Sequence, residues 1–373
     1  MVSGNNNDVA ERVEAVREKL AEWEVDAFLI SGPASRRWLS GFTGSAGWLL
    51  ITPSDAWLGT DFRYWEQADQ QAPSFTVYRL TAEKRLPTFV SEVAEGMGAE
   101  EREVVIGVEA EQVTLAELEQ LEEAEGIVWK PLSSALAQMR AIKSETEIAT
   151  MKRAATITDE VMGAVPLLAR VGQSEKELAW LLEKRLREAG ADGVAFPVTV
   201  ASGPNAALPH HSPSERRLEP GDALIVDMGA VVDGYKSDLT RTFYMGAEAD
   251  EQFWKIYRLV LEAQQAALAA LKVGAHNRAV DAAARDLIAS GGHGEHFGHG
   301  LGHGVGLEIH EAPRLSPRAE EAETVDEGVV ITVEPGIYIP GWGGVRIEDL
   351  VRISASGVEF LSHCPKEPLI PPV

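Results

Sequence analysis

The dipeptide Asp233-Gly234 is the feature that most restricts how the C-terminal half of this chain can fold. An Asp-Gly pair between two β-rich runs is a strong signal for a two-residue hairpin turn. A turn at this dipeptide places Asp227 opposite Thr240 on the neighbouring strand. Because side chains alternate along a strand, Asp238 shares the face of Thr240. The turn therefore predicts that the carboxylates of Asp227 and Asp238 lie diagonally adjacent on one face.

The surroundings of Asp227 indicate why two carboxylates should lie there. Asp227 follows Ile225-Val226 inside an apolar strand, and burying an acidic group is costly unless it is paired or binds a metal. The alternative for any such residue is a turn or a sheet edge, and Asp233 fits that description. Two anions held this close need a cation between them, so we predict that Asp227 and Asp238 bind metal.

A glycine-rich segment at residues 292–311 is a second candidate for chemistry. Imidazole is a common neutral metal ligand and a general acid or base near neutral pH. The intervening glycines lack Cβ atoms and allow the backbone to pass close to a site. The segment contains five of the nine histidines, namely His293, His296, His299, His303 and His310. We expect His293 and His296 to be bystanders.

Two further carboxylates complete the candidate metal site. Glu334 ends an apolar run just before Pro335-Gly336, and Glu348 lies on the same face of an alternating run as Arg346. A surface salt bridge is the alternative interpretation of Arg346 and Glu348. Four carboxylates and one imidazole balance the formal charge of two divalent cations, and oxygen-rich ligation favours Mn²⁺, with Co²⁺ or Zn²⁺ as alternatives. Two ions roughly 3.5–4 Å apart can activate a shared water and polarise a carbonyl.

The length of the chain and the order of its elements predict two domains. Its 373 residues exceed the size at which a single core usually stops growing. Helices alternate with apolar strands up to residue 135, which indicates an α/β domain over 1–135. Capping boxes that begin at Ser144 and Ser174 then predict long helices. Paired helices with strands at 223–228 and 344–353 indicate an α+β domain over 136–373.

Composition excludes several classes of protein. The chain has 34 Lys and Arg against 58 Asp and Glu, a formal charge of −24, so nucleic acid is a poor partner. The single cysteine, Cys364, cannot form an intramolecular disulfide and suits a reducing compartment. No run of 18 apolar residues and no secretory signal occurs, which argues against a membrane partner. We therefore expect a cytoplasmic protein.

Taken together, these residues resemble the proline-specific branch of the pita-bread metallopeptidases, the prolidases and aminopeptidases P. The resemblance covers nearly the whole chain. Its N-terminal part is similar to the creatinase-like domain of small bacterial members, through GFTGSAG at 41–47 and DFRY at 61–64. Its most specific catalytic segments are DMG at 227–229, SDLTRT at 237–242, GHGVGLEIHE at 302–311, VEPG at 333–336 and VRIED at 345–349. The implied fold is an α/β creatinase-like domain followed by an α+β pita-bread catalytic domain.

The resemblance also implies a role for individual residues. His210 matches the histidine that stabilises the tetrahedral intermediate, although a one-residue slip would exchange it with His211. His310 matches a histidine that assists protonation of the leaving group, and Glu334 would serve as both ligand and proton shuttle. The substrate pocket would be lined by His299, Tyr338 and Arg346. The implied metal ligands are Asp227, Asp238, His303, Glu334 and Glu348, with no departure from the family pattern.

The implied reaction is hydrolysis of the imide bond before proline in dipeptides or short peptides, through a hydroxide that bridges two metal ions. The enzyme would be an exopeptidase and a homodimer, and its preference for dipeptides (a prolidase) or longer peptides (an aminopeptidase P) stays open. Methionine aminopeptidase shares the ligand set and is the nearest alternative. A non-catalytic peptide-binding module and a metal-free creatinase-type hydrolase of the same fold are also possible interpretations.

Overall fold

The computed structural model describes residues 6–370 and divides into two compact units. The first unit ends at Arg140 and the second begins at Ala141, whereas the sequence predicted a boundary at residue 135. The five additional residues belong to the first unit, in which Leu136 is buried and Arg140 donates a hydrogen bond of 3.4 Å to Ser35 Oγ. These residues form a short helix and no strand, so the alternation of helices and strands in the sequence ends before them.

The first unit is a mixed sheet flanked by helices. Its strands are β1 (Ala27–Ile30), β2 (Trp48–Ile51), β3 (Ala56–Asp61), β4 (Thr76–Leu80), β5 (Val104–Glu109) and β6 (Ile127–Leu132). Its helices are α1 (Asn6–Glu22), α2 (Pro33–Ser40), α3 (Trp65–Gln71), α4 (Leu86–Glu95), α5 (Leu115–Leu121) and α6 (Ala137–Ala141), which reaches the division between the units. The strand order is β4-β3-β2-β1-β5-β6.

Strand pairing in this sheet follows the predicted α/β pattern. The hairpin of β2 and β3 is confirmed, with Ile51 opposite Ala56 across the turn. The connections that carry α3 and α5 join parallel neighbours, β3 to β4 and β5 to β6, whereas β1 and β2, which α2 connects, pair antiparallel. Leu29, Leu50 and Phe89 are fully buried in the core on one face of the sheet. Burial of that face is what holds the helices against the strands.

The helices of the second unit begin where the sequence places them. Both predicted capping boxes are formed: Ser144 Oγ accepts from the backbone N–H of Glu147, whose carboxylate accepts from the N–H of Ser144, and Ser174 and Glu177 repeat the arrangement. None of the described helices is both long enough and apolar enough to cross a membrane. The helices are α7 (Glu145–Gly163), α8 (Val165–Leu168), α9 (Glu175–Glu188), α10 (Glu251–Ala270) and α11 (Asn277–Ser290), with 3₁₀ turns at Gly203–Ala207 and Gly294–His296.

The strands of the second unit form several small sheets, and two of these sheets carry the candidate site. The strands are β7 (Gly193–Val194), β8 (Thr199–Ser202), β9 (Ala223–Met228), β10 (Ala230–Val232), β11 (Tyr235–Lys236), β12 (Leu239–Met245), β13 (Gly302–Gly304), β14 (Glu311–Leu315), β15 (Val330–Val333), β16 (Gly336–Ile339), β17 (Gly343–Arg346), β18 (Asp349–Ser354), β19 (Gly357–Phe360) and β20 (Leu369–Ile370). One sheet has the order β20-β12-β9-β8, and the other has the order β14-β13-β15-β18-β19.

The turn at Asp233-Gly234 sets the register that the sequence predicts. Both residues have positive φ, 45° and 74°, as a type I′ hairpin turn requires. Beyond the turn, β9 and β12 pair antiparallel with Asp227 opposite Thr240. The predicted pairing is therefore confirmed, and Asp238 immediately precedes the second strand.

The single strand predicted over residues 344–353 is wrong, because the chain forms two strands there. It leaves β17 after Arg346 and enters β18 at Asp349, in a different sheet. In between, the N–H of Glu348 donates to the Thr240 carbonyl at 3.2 Å. Alternation nevertheless holds across the break, since Ile347 packs in the apolar core while Arg346 and Glu348 face a cavity.

Replacing Gly234 with alanine tests the hairpin turn. A β-carbon at a positive φ is expected to lower the free energy of unfolding by about 1 kcal/mol. Gly163→Ala is the matched control, because Gly163 ends α7 with open space around its Cα and alanine is expected to stabilise it by about 0.4–1 kcal/mol. Urea unfolding followed by circular dichroism measures both. Equal effects of the two substitutions would contradict the turn.

Candidate active site

Four carboxylates converge in the second unit, one from within a strand and three from just outside the ends of strands. One oxygen each from Asp227, Asp238 and Glu348 lie within 4.8 Å of one another. His303 Nε2 lies 3.7 Å from an Asp238 oxygen and 3.3 Å from Glu334 Oε1. The five residues predicted to bind metal are therefore brought together by the fold. Asp227 and Asp238 come from the β9–β12 hairpin, His303 and Glu334 from β13 and the end of β15, and Glu348 from the crossing between β17 and β18.

The electrostatics of this cluster are unfavourable without a cation. Burial raises the pKa values of Asp238, Glu334 and Glu348, and the neighbouring carboxylates raise them further. Within the described part of the chain, Asp227 Oδ1 and Glu348 Oε1 are buried and accept no hydrogen bond. Buried oxygens without donors are costly unless a metal ion or water satisfies them. This donor set therefore fits divalent cations.

His303 presents its Nε2 lone pair to the carboxylates. Its Nδ1 lies 3.0 Å from the Gly304 carbonyl, which fixes the proton on Nδ1, and burial lowers the pKa of His303, which keeps the ring neutral. An unprotonated Nε2 cannot donate to Glu334 Oε1. Both atoms are hydrogen-bond acceptors, so they form no hydrogen bond with each other. A hydrogen bond from the far nitrogen to a backbone carbonyl is the usual support of a metal-binding histidine.

The three residues predicted to line the substrate pocket form one hydrogen-bonded chain. Arg346 donates from Nη2 to Asp227 at 2.6 Å and from Nη1 to the Tyr338 hydroxyl at 3.0 Å. The hydroxyl in turn lies 2.9 Å from His299 Nε2, and His299 Nδ1 lies 2.7 Å from the Gly300 carbonyl. His299 and Arg346 line the cavity. Tyr338 is not among the described residues that line it, but its hydroxyl is hydrogen-bonded to both of these side chains. The chain ends on a carboxylate of the candidate metal site.

Charges around this chain stabilise the guanidinium. Burial alone would lower the pKa of Arg346, but Tyr338, Asp227 and Glu334 outweigh it and raise the pKa. Burial raises the pKa of Tyr338 to about 12, so its hydroxyl stays protonated and donates to His299. Arg346 therefore remains a cation that orients the Asp227 carboxylate. The surface salt bridge considered for Arg346 does not form, since its side chain is buried.

The histidines separate into two groups. His299, His303 and His310 line the cavity together with His210 and His211, while His293 and His296 contact each other elsewhere, with Nδ1 atoms 3.3 Å apart. The His310 and His303 rings meet edge to face with centroids 4.4 Å apart. Burial lowers the pKa of His310 to about 4, with His303 and Arg314 as further causes, so its imidazole is neutral at pH 7.

One cation at the cavity is not among the site residues predicted from the sequence. The cavity has a volume of about 460 Å³, and the exposed Arg314, which is the cross-strand partner of His303, is one of the residues that line it. Among the described residues, no carboxylate pairs with this exposed guanidinium. Its position depends on the irregular β13–β14 pairing, which shifts register after His303. An arginine four residues after His310 carries no local signal of that pairing.

Metal binding to this site should strengthen with pH. The raised pKa values of Asp238, Glu334 and Glu348 mean that the metal-free fold loses stability as pH rises from the ordinary carboxyl range of about 4 through those higher values. Mn²⁺ competes with these protons, so it should raise the melting temperature of chelator-treated protein more at pH 8 than at pH 5. Scanning fluorimetry with and without Mn²⁺ measures the shift. A shift that is equal at both pH values would count against a carboxylate site.

Family comparisons agree with this arrangement. Residues 149–355 match the family described as "Metallopeptidase family M24", and residues 12–142 match the family described as "Creatinase/Prolidase N-terminal domain". The first match includes every residue of the carboxylate cluster. The second covers most of the first unit.

Individual relatives match along nearly their whole length. An Xaa-Pro dipeptidase of Pyrococcus horikoshii is 37% identical over 96% of this chain and 98% of its own. The structure of an Xaa-Pro dipeptidase from Bacillus anthracis superposes with a TM-score of 0.90 at 38% identity, covering 97% of this chain and 99% of that one. An X-Pro aminopeptidase from Thermotoga maritima gives a TM-score of 0.85 at 36% identity, covering 96% and 99%. The chain therefore belongs to metallopeptidase family M24, with a creatinase-like N-terminal domain followed by the pita-bread catalytic domain.

Proposed function

We propose that this chain is a dinuclear-metal exopeptidase that hydrolyses the bond before proline in Xaa-Pro dipeptides. The observation that carries the proposal is the buried cluster of four carboxylates with one neutral imidazole lone pair directed at it. The names of the P. horikoshii and B. anthracis relatives support the choice of substrate. An imide bond has no N–H and its ring fixes φ, so its hydrolysis needs a site adapted to proline.

The proposed ligands are Asp227, Asp238, His303, Glu334 and Glu348. Two divalent ions held there would activate water and polarise the substrate carbonyl. Four oxygen donors and one nitrogen favour Mn²⁺, with Co²⁺ or Zn²⁺ as alternatives. The buried Asp227 Oδ1 and Glu348 Oε1, which accept no hydrogen bond from the described residues, support this assignment.

The residues around the ligands would handle the protons and charge of the reaction. Glu334 accepts a proton from the attacking water, because burial raises the pKa of its carboxyl and makes the protonated form accessible. His210 lies on the cavity wall and stabilises the developing oxyanion. His310 delivers a proton towards the prolyl nitrogen. Arg346 holds Asp227 in place, and His299 contacts the substrate beside it.

The polarity of the cavity supports a preference for dipeptides. The free α-amine of a peptide is a cation that the carboxylate cluster attracts, which favours cleavage at the N-terminus. Arg314 lines the cavity with no carboxylate partner among the described residues and suits the C-terminal carboxylate of a bound dipeptide. A longer peptide replaces that carboxylate with an amide. The second candidate is aminopeptidase P activity, which the name of the T. maritima relative favours.

Three competing functions have less support. A non-catalytic peptide-binding module has no need for four converging carboxylates, and metal-free creatinase-type hydrolysis leaves their repulsion uncompensated. Methionine aminopeptidase activity would require only the catalytic domain, whereas this chain carries a creatinase-like domain as well.

The compartment and partners of the enzyme form a separate proposal. We propose that it is a cytoplasmic homodimer that binds neither nucleic acid nor membranes. Its acidic composition and its single buried cysteine, Cys364, are in keeping with this proposal.

Asp238→Asn tests the metal assignment. The substitution removes one anionic ligand without changing the size of the side chain, so hydrolysis of Ala-Pro should fall below detection while circular dichroism stays that of the folded protein. Asp233→Asn is the matched control, since the turn tolerates asparagine. Mn²⁺ content should fall only in the first variant. Full turnover by Asp238→Asn would refute the assignment.

A series of substrates separates the candidate specificities. Ala-Pro, Ala-Pro-Ala and Met-Ala-Ser are assayed with Mn²⁺ after chelation, and we expect the first to have the highest kcat/KM. Arg314→Gln should raise the KM for Ala-Pro about tenfold, which is the effect expected when one charge-assisted hydrogen bond to the substrate is lost. The effect on the KM for Ala-Pro-Ala should be smaller. Arg318→Gln is the control, because this exposed arginine does not line the cavity. Preferential turnover of Met-Ala-Ser would favour methionine aminopeptidase.

A further inference from the structure

A buried carboxylate outside the metal cluster lies beneath one wall of the cavity. Glu175, the first residue of α9, is fully buried. Its Oε1 accepts from the N–H and Oγ of Ser202, at 2.8 and 2.7 Å, and from Asn205 Nδ2 at 3.0 Å. Its Oε2 lies 2.8 Å from His211 Nε2 and accepts from the N–H and Oγ of Ser214, at 3.0 and 2.7 Å. One carboxylate thus binds both ends of a single segment.

That segment, which we call the 202–214 loop, forms part of the cavity. Five consecutive residues from it, 209–213, line the cavity, and His210 is among them. A second attachment comes from Arg346, whose Nη1 donates to the Pro209 carbonyl at 3.3 Å. The loop is therefore fixed at its ends by Glu175 and near its middle by Arg346. Its backbone forms a 3₁₀ turn at Gly203–Ala207 and a hydrogen bond from the His211 N–H to the Leu208 carbonyl, and the side chains of Glu175 and Arg346 attach the loop to the rest of the second unit around His210.

Glu175 makes these bonds as an anion. Burial alone would raise its pKa, but hydrogen bonds from Ser214, His211, Ser202 and Asn205 outweigh that effect and lower the pKa to about 2. A carboxylate only accepts, so all of its contacts must be donors. His211 therefore carries a proton on Nε2, which commits this histidine to the carboxylate below it. That arrangement also distinguishes the two adjacent histidines, because His210 has no such anchor among the described residues.

We infer that Glu175 is a positioning residue for catalysis, which holds the 202–214 loop through Ser202, His211 and Ser214 so that His210 faces the carboxylate cluster. The inference rests on the proposed peptidase function and extends it to a residue that does not contact the substrate. Displacement of a catalytic group by about 1 Å can reduce a rate about 100-fold. The effect of losing Glu175 should therefore fall on kcat, because stabilisation by His210 is needed in the transition state.

Glu175→Gln tests this role. The amide places an N–H donor against groups that are themselves donors, which releases one end of the loop. We expect kcat for Ala-Pro to fall about 10- to 100-fold, with less than about a threefold change in KM and unchanged Mn²⁺ content. Glu177→Gln is the matched control, since glutamine still completes the capping box on the same helix. It should keep the activity of the unmodified enzyme.

A double-mutant cycle and hydrogen exchange distinguish positioning from a general loss of stability. If Glu175 acts through His210, Glu175→Gln should add less than about a threefold loss to His210→Ala. Exchange measured by mass spectrometry on the metal-loaded enzyme should accelerate in residues 202–214 and stay unchanged in β12. If Glu175→Gln does not fold, His211→Asn removes one of the same bonds and should change exchange and kcat in the same direction.

Three results would overturn the inference: multiplicative losses in the cycle, unchanged exchange in the 202–214 loop, or wild-type kcat in the folded variant. Failure of the proposed function would look different. The unmodified enzyme would then cleave none of the proline peptides, while the exchange measurement would still decide whether Glu175 holds the loop.

Discussion

Mutual repulsion among four carboxylates, two of them buried and two mostly buried, is the constraint on which the second unit depends. Asp227, Asp238, Glu334 and Glu348 come from separate segments of the chain, and several hydrogen bonds of the fold hold them together. Thr240 donates to Glu348, Thr332 donates to Glu334 and Arg346 donates to Asp227. These donors satisfy part of Asp227, Glu334 and Glu348, while Asp227 Oδ1 and Glu348 Oε1 stay without a donor among the described residues. Metal binding is then the interaction that turns an unfavourable cluster into a stabilising one.

The surrounding polar groups all reduce the freedom of that cluster. Tyr338 links Arg346 to His299, and the Gly304 carbonyl fixes the tautomer of His303. Glu175 performs a similar task at a greater distance, through a loop. In each case a buried acceptor or donor determines the orientation of the next side chain, and a hydrogen-bonded network of this kind favours one geometry. Preorganisation of this sort matters more in a hydrolase than in a binding module, because the transition state tolerates less displacement.

The parts of the site that sequence analysis predicted share a local cause. Asp227 and Asp238 follow from one turn whose chemistry fixes the register, and the capping boxes at Ser144 and Ser174 follow from contacts across three residues. What it missed depends on distant pairing. The break at Ile347 occurs because the chain changes sheets, which alternation within the run cannot reveal. The family resemblance supplied the choice of His303, since the sequence pattern set aside His293 and His296 but did not distinguish His303 from His299 and His310.

Glu175 is the clearest example of a residue whose environment cannot be predicted from its neighbours in the sequence. At the first turn of a helix, beside Ser174 and Glu177, a glutamate is expected to be exposed and to interact with the helix dipole. Glu175 is buried because both ends of the 202–214 loop pack against it, and no residue within the helix predicts that contact. Glutamates are almost never fully buried unless they are paired, so a buried one that accepts from six donor atoms carries information that only the fold discloses. The residues that set catalytic geometry are therefore least visible in the sequence when their partners are distant along the chain.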